Sequence, residues 1–313
     1  MTRTFVVGLD GASWRLLDPW LEAGKLPNLA ALRDGGSWAE TRSTLPPVTF
    51  PNWKSYSSGK NPGKYDVFWF EHVDLEAGEI TVAEGGDFRT AELWDYLNEA
   101  GQRTGVVNMP TMYPPRSIDG PIVCGGPDAT EGEYRSIEGG YTSPPELEAE
   151  LEERFEYRVH PEPLLSSNEE RGAEVEAILD LLDTHFEAAL TLFEEQELEF
   201  MHLTLFYLNV LQHFFWDDEP TERAWQLVDG WLGDLRELPD TNVVLMSDHG
   251  GGPTQTEFYV NEWLAQNGYQ SRTQTIEDVL RVFGLDRETV LGVAKTLGLV
   301  DALAALVPEG LQK

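Results

Sequence analysis

Two short apolar segments of this sequence end in side chains that bind divalent metals in many proteins. Asp10 follows the run TFVVGL, and the pair Asp248 and His249 follows the run TNVVLM. Three glycines come directly after His249, and they let the backbone turn sharply close to a ligand. A carboxylate beside an imidazole suits an ion of the zinc or manganese type. Each segment alone is also typical of an ordinary turn or helix cap, but their joint occurrence favours a metal site.

Thr49 is the candidate nucleophile, and it lies in the proline-rich segment PPVTFPN before a helix that we expect to begin at Trp53. A hydroxyl group at a helix N-terminus meets free backbone N–H groups and the positive end of the helix dipole. Contact with a metal would lower the pKa of that hydroxyl and make it a nucleophile. The same N–H groups could hold the oxyanion of a phosphate or sulfate. An ordinary helix cap is the alternative interpretation.

Alternating strands and helices must position these residues. Short apolar runs predict strands over 4–9, 104–108, 122–124, 200–207 and 241–246. Helical periodicity predicts helices over 14–32, 91–99, 173–194 and 223–238, with a break near Gly24 in the first, and a strand-helix unit over 257–267. This order predicts an α/β fold with a mostly parallel central sheet and helices on both faces. Functional groups gather at the C-terminal ends of such strands, where Asp10 and Asp248 stand.

Composition along the chain indicates four parts. We expect a first part of the α/β core over 1–126 and a second over 173–270. Between them, 127–172 is acidic and rich in Gly and Pro, which is typical of an insertion or cap. A helical cap segment is expected over 271–313.

The charge balance excludes some classes of partner. Fifty-five acidic residues face 22 basic ones, a net charge of −33, and the acidic residues are spread along the whole chain. Such a surface repels nucleic-acid phosphates and anionic lipid, so neither partner is expected. Many acidic residues spread along the chain, together with few lysines, are typical of proteins from salt-loving archaea. Molar salt screens charges there over about 3 Å.

The remaining sequence signals concern location and assembly. Cys124 is the single cysteine, which excludes an intrachain disulfide and fits a reducing cytoplasm. The N-terminus enters a strand pattern directly and lacks the features of a signal peptide. No apolar run of membrane-spanning length occurs. No feature of the sequence indicates an oligomeric state.

Seven short motifs occur in a fixed order along the chain. They are GLDG at 8–11, KLPNL at 25–29, PVTFPNW at 47–53, SGKNPGK at 58–64, QHFFW at 212–216, SDHG at 247–250 and NEWL at 261–264. Each motif is modest alone, but the ordered set is specific. Together they resemble the type I phosphodiesterase/nucleotide pyrophosphatase family of the alkaline phosphatase superfamily, over roughly residues 4–310.

This resemblance implies a metal-dependent chemistry on small phosphate esters. Two metal ions, usually zinc, would lie about 4 Å apart. One ion would be held by Asp10, Asp248 and His249 and would contact Thr49, which would attack phosphorus and form a covalent intermediate. Lys54 and Lys60 flank the nucleophile segment and could hold the substrate phosphate, although solvated basic side chains are the alternative.

The second metal site departs from the family pattern. Asn209 stands where the family has an Asp ligand, and an amide is a weaker, neutral ligand. His213 is either a surviving ligand or a histidine packed in an aromatic cluster. No histidine follows His249, so a later His ligand has no candidate. The chain is therefore expected to hold one or two divalent ions, zinc or manganese.

Two functions follow from these motifs. The leading one is a hydrolase of phosphate mono- or diesters with a Thr nucleophile. The alternative is a catalytically impaired or inactive protein of the same fold that acts in binding or assembly. Among the other histidines, we expect His202 in the core and His72, His160 and His185 at the surface.

Overall fold

The computed structural model describes residues 2–74, 79–88, 90–128, 130–131, 135–136, 140–162 and 171–271. The chain separates into two units, Met1–Pro253 and Thr254–Lys313. The helical segment expected over 271–313 lies, apart from its first residue, outside the described residues.

Ten strands are described. They are β1 (Arg3–Leu9), β2 (Glu71–Asp74), β3 (Glu79–Val82), β4 (Thr104–Val107), β5 (Ile122–Val123), β6 (Thr130–Glu131), β7 (Arg135–Ser136), β8 (Thr142–Ser143), β9 (Phe200–Leu205) and β10 (Thr241–Met246). Six of them form one sheet in the order β10-β1-β9-β4-β5-β8, while β2–β3 and β6–β7 form separate antiparallel pairs. All pairings in the six-stranded sheet are parallel except that of the edge strand β8. The predicted mostly parallel α/β fold is confirmed.

Nine α-helices are described. They are α1 (Trp14–Glu22), α2 (Pro27–Gly35), α3 (Thr49–Ser58), α4 (Leu93–Glu99), α5 (Leu147–Phe155), α6 (Arg171–Glu195), α7 (Phe206–Phe214), α8 (Glu219–Arg236) and α9 (Val260–Gln266). The stretch 127–172, expected as an insertion or cap, contributes the edge strand β8 and helix α5. No helix among the described residues is both long and apolar enough to cross a membrane.

Both faces of β1 are covered, since consecutive strand residues point to opposite faces and Phe5, Val6 and Val7 are all buried. On one face, Phe5 meets Phe193 of α6 edge to face, with ring centroids 5.2 Å apart. On the other, Gly8 lies against Trp53 of α3. A Cβ on Gly8 would come within 2.5 Å of the Trp53 ring, so this close approach of helix and strand needs glycine.

The register of the central strands brings the two predicted carboxylates together. Gly8 of β1 pairs with Met246 of β10 in a parallel ladder. Asp10 and Asp248 each follow these partners by two residues, so they leave the sheet side by side. The third neighbour, β9, runs directly into α7 at Phe206, which carries Asn209 and His213 past the same sheet edge.

Helix α3 begins four residues earlier than the sequence predicts. It starts at Thr49, not at Trp53, because Pro51 lies within the first turn, where a missing N–H leaves no helical bond unmade. The first bond of the helix runs from the Asn52 N–H to the Val48 carbonyl, at 3.1 Å. Thr49 is therefore the first residue of the helix itself.

Three histidines are buried, of which only one was predicted to be. His202 is fully buried in β9 beside Trp53 and Tyr56, as expected. His160 and His185, expected at the surface, are 4% and 3% exposed. The polar sequence around them does not reveal their partners, which are side chains and carbonyls remote in sequence. Nδ1 of His185 lies 2.8 Å from the Asn108 amide, and Nε2 lies 2.8 Å from the Arg158 carbonyl.

Asp128 is a buried carboxyl group in the loop after β5. One oxygen accepts the Tyr113 N–H at 3.0 Å, and the other has no hydrogen-bond partner among the described residues. Burial raises the pKa of Asp128 from 3.8 to about 7, against the opposing effect of backbone N–H donors. The folded protein therefore holds this proton more tightly than the unfolded chain does.

We expect Asp128→Asn to flatten the fall of stability between pH 4 and pH 7. In the native protein the contribution of Asp128 is fully present below pH 4 and is lost as the pH rises to about 7. The Asn variant cannot ionise at this position. The free energy of unfolding of the variant, relative to that of the native protein, should therefore increase by up to about 1.4 kcal/mol for each pH unit. Denaturant unfolding at constant salt across this range measures the difference. Parallel pH profiles for the two proteins would contradict it.

Candidate active site

Asp10 is fully buried immediately after β1. Its Oδ2 accepts a hydrogen bond from the Trp53 indole at 2.8 Å, while Oδ1 has no hydrogen-bond partner among the described residues. Burial raises the pKa of Asp10 well above its usual value, and the neighbouring Asp248 carboxylate raises it further. A buried group of this kind stays ionised only when a cation compensates its charge. Without a cation it takes up a proton.

Asp248 mirrors this arrangement at the end of β10. Its Oδ1 accepts the Gly11 N–H at 3.2 Å, and its Oδ2 also lacks a hydrogen-bond partner in the described part of the chain. Burial raises the pKa of Asp248 to about 6. Each carboxylate thus has one oxygen held by the protein and one oxygen free.

His249 turns a ring nitrogen toward both free oxygens. Its Nδ1 lies 2.9 Å from the Gly250 carbonyl, which can only accept, so Nδ1 carries the proton and Nε2 of the neutral ring has a free lone pair. Nε2 lies 3.4 Å from Oδ2 of Asp248 and 3.6 Å from Oδ1 of Asp10. Ligands held tetrahedrally at about 2.0–2.1 Å from zinc are about 3.3–3.4 Å apart. The three side chains therefore fit a divalent ion of this size.

These residues, which we call the acidic cluster (Asp10, Asp248 and His249), are the one group of three or more such ligands within 4.8 Å of one another in the described chain. Thr49 lies beside it and is 3% exposed. Its hydroxyl is 3.3 Å from His249 Nε2. Because Thr49 is the first residue of α3, free first-turn N–H groups of that helix lie next to it in the chain.

Asn209 lies beside the acidic cluster. It is 8% exposed, and its side chain opposes the rise of the Asp10 pKa. Gly11 leaves room for the Asn209 side chain, because a Cβ there would come within 2.4 Å of the Asn209 oxygen. His213 follows one turn later on α7 and is partly exposed, and it is not one of the three clustered ligands. Partial burial lowers the pKa of His213, and His249 lowers it further.

The two lysines predicted to hold phosphate lie elsewhere on and after α3. Lys54 is 2% exposed, and its ammonium group is 2.8 Å from a carboxylate oxygen of Glu92, which is equally buried. Burial lowers the pKa of Lys54, and Glu92 opposes this effect. The exposed Lys60 donates a hydrogen bond to the Thr90 hydroxyl. Neither ammonium group is directed to the acidic cluster by these contacts.

Several residues at the site make contacts that the sequence did not predict. Trp53 holds Asp10, and Gln212 donates from its amide to the Asp10 carbonyl at 3.2 Å. The Ser43 hydroxyl donates to the Asp248 carbonyl at 3.0 Å. Trp53 and Gln212 stand within the motifs PVTFPNW and QHFFW, which was the available signal. Ser43 carries no such signal, because its partner is distant in sequence.

Solved structures share this arrangement of sheet and helices. Phosphonoacetate hydrolase from Sinorhizobium meliloti 1021, in complex with phosphonoformate and with phosphonoacetate, superposes with TM-scores of 0.61 and 0.62 at 20% identity. These matches cover 85% and 86% of this chain but only 62% and 63% of that chain. An inactive variant of murine ectonucleotide pyrophosphatase/phosphodiesterase 5 in complex with AMP has a TM-score of 0.48 at 13% identity, covering 80% of this chain and 57% of its own.

The model of the type I phosphodiesterase/nucleotide pyrophosphatase family matches residues 4–298 of the chain. The chain belongs to this family, as the ordered motifs predicted. No curated protein matches the sequence.

The buried ion pair of Lys54 and Glu92 yields a stability prediction. Lys54→Met leaves Arg116, 3.2 Å away, as the remaining cation of the Glu92 carboxylate, and should lower the free energy of unfolding by about 1–3 kcal/mol. The matched control Lys25→Met removes a solvent-exposed pair with Glu222 and should cost less than about 1 kcal/mol. Denaturant unfolding measures both variants. Equal small losses would mean that the Lys54 pair contributes no more than a surface pair.

Proposed function

We propose that the protein is a metal-dependent hydrolase of phosphate mono- or diesters in which Thr49 is the nucleophile. The observation that carries this proposal is the convergence of three atoms able to bind a metal ion beside the Thr49 hydroxyl. These atoms are Oδ1 of Asp10, Oδ2 of Asp248 and Nε2 of His249. Family membership supports phosphoester hydrolysis as the class of reaction.

The acidic cluster would hold a divalent ion, zinc or manganese. When bound, the ion would supply positive charge that acidifies the Thr49 hydroxyl and attracts the phosphoryl oxygens. The residues around it set the ligands in place: Trp53 and Gly11 occupy the other carboxylate oxygens, and Gly250 fixes the His249 tautomer. This support is what metal ligands require to stay oriented.

Thr49 would displace the leaving group in line. Its Oγ1 bonds to phosphorus while the bond from phosphorus to the leaving alcohol breaks, and the hydroxyl proton ends on that alcohol. A water molecule then hydrolyses the resulting phosphothreonine and restores the Thr49 hydroxyl. Free N–H groups at the start of α3, with the positive end of its dipole, stabilise the negative phosphoryl oxygens during both steps.

We infer that the site holds one ion. Asn209 stands where the family has an Asp ligand, and its amide is neutral and therefore a weaker ligand for a second cation than a carboxylate. His213 stands on the same helix, partly exposed, and in the described residues it lacks a second and third ligand to form a cluster of its own. The proposed chemistry needs only the ion beside Thr49.

The proposed setting is a cytoplasm of high salt. With a net charge of −33, the chain carries self-repulsion that molar salt screens. The single cysteine, Cys124, is buried and free, which suits a reducing compartment. Small phosphate esters are the expected substrates, while nucleic acid is disfavoured by the same charge.

Hydrolysis of bis-nitrophenyl phosphate tests the reaction. In high salt with zinc or manganese, the native protein should release nitrophenol, and Thr49→Ala should abolish release because no other hydroxyl takes its place. Thr49→Ser should retain measurable activity, and the exposed control Thr41→Ala should behave as native. Absence of turnover with every metal would favour the alternative, a protein of this fold that binds or assembles without catalysis.

Metal content tests the site independently of turnover. We expect about one zinc per chain by elemental analysis after dialysis, and a large loss in Asp10→Asn or Asp248→Asn, since each removes one of three ligands. His213→Ala should leave the zinc content unchanged. Two ions per chain in the native protein would contradict the proposed role of Asn209.

A further inference from the structure

We propose that the side-chain amide of Asn52 donates a hydrogen bond to a phosphoryl oxygen of the substrate. This inference rests on the proposed phosphoryl chemistry at Thr49 and adds a residue that binds the anion. Asn52 belongs to the first turn and a half of α3 and is 4% exposed.

The orientation of the Asn52 amide is fixed by chemistry. Its Oδ1 lies 2.8 Å from the Thr44 N–H and 2.6 Å from the Thr44 hydroxyl. A backbone N–H can only donate, so the atom that faces it must be the oxygen. The hydroxyl of Thr44 then donates to the same oxygen. The NH₂ group therefore points away from Thr44.

That NH₂ group has no partner in the described residues and no access to solvent. Buried donors are almost always satisfied in native proteins, and an unsatisfied one is destabilising. A single unsatisfied donor on an otherwise well-bonded side chain indicates a missing acceptor. The contacts with Thr44 use only Oδ1 of Asn52. The local fold therefore does not explain why this side chain also carries an NH₂ group.

Helix geometry directs this donor toward Thr49. Asn52 is three residues after Thr49, so the two side chains share a face of α3. Side chains of a helix lean toward its N-terminus, which carries the Asn52 amide back over the first turn. That turn begins at Thr49, whose hydroxyl is 3.3 Å from His249 Nε2. The proposal therefore places the Asn52 donor on the face of α3 that also carries the Thr49 hydroxyl.

The first turn of α3 offers an anion few backbone donors, because two of its residues have no free N–H group. Pro51 has no N–H, and the Asn52 N–H bonds to the Val48 carbonyl at 3.1 Å. Only the N–H groups of Thr49 and Phe50 remain free. The Asn52 side chain provides a third donor, which matches the three non-bridging oxygens of a phosphate monoester.

The Asn52 amide is also tied to the metal ligands. Thr44 holds its oxygen, and the preceding residue, Ser43, donates to the Asp248 carbonyl at 3.0 Å. Two neighbouring residues of one segment therefore connect the Asn52 side chain to the turn after β10, which carries Asp248.

Binding of inorganic phosphate to the zinc-loaded protein tests the inference by calorimetry in high salt. Asn52→Asp keeps both bonds from Thr44 and removes the donor, and Asn52→Ala removes the donor without adding charge. We expect both to weaken phosphate binding by about tenfold to a hundredfold, the effect of one hydrogen bond to an anion. Zinc content should stay native in both. Asn242→Asp, an exposed residue of β10, controls for added charge and should bind phosphate as native.

Each other result overturns the inference. Native phosphate binding in Asn52→Asp or in Asn52→Ala would show that the donor does not reach the anion. Loss of zinc together with phosphate would mean that Asn52 supports the metal ligands only. No phosphate binding by the native protein would also overturn it, while hydrolysis of bis-nitrophenyl phosphate by that same protein would leave the proposed function standing.

Discussion

The burial of two carboxylates side by side is the constraint on which the rest of the site depends. The parallel register that pairs Gly8 with Met246 leaves Asp10 and Asp248 no other position than adjacent to one another. Burial and mutual repulsion both disfavour their ionised forms, and the raised pKa values express this cost. The protein satisfies one oxygen of each group from Trp53 or Gly11 and leaves the other oxygen free. These two free oxygens are the atoms that would bind the proposed cation.

The position of Thr49, the proposed nucleophile, follows from the same constraint. Trp53 bonds to Asp10, and its neighbour Asn52 is tied through Thr44 and Ser43 to the Asp248 segment, so consecutive residues of α3 are attached to both sides of the acidic cluster. Close contact between α3 and β1 is possible because Gly8 has no side chain. These attachments, and not a property of Thr49 itself, determine where α3 begins and where Thr49 lies. Helix α3 is therefore attached to the acidic cluster whatever the chemical role of Thr49.

Sequence patterns predicted the sheet and the acidic cluster because both depend on local order. Apolar runs mark β1 and β10, and Asp10 and Asp248 follow them directly. Interactions between distant residues were beyond such patterns. Lys54 looks like a solvated lysine beside Thr49 until its pairing with Glu92, 38 residues later, is known. The partners of His185 are likewise remote, and so a polar sequence context pointed to the surface. The start of α3 was misplaced because a proline within a first turn is also typical of a loop.

Net charge and site chemistry act at different distances, so a strongly acidic chain is compatible with the proposed binding of an anion. At a net charge of −33, the protein repels a phosphate ester at long range, and in molar salt that repulsion is screened beyond about 3 Å. Contacts shorter than this screening length, such as hydrogen bonds and metal ligation, keep most of their strength. Selection of the substrate must then come from groups in direct contact with it, and the described site offers these from the acidic cluster and from the first turn of α3. An uncharged donor such as the Asn52 amide suits this setting because its strength does not depend on the distant field of the protein.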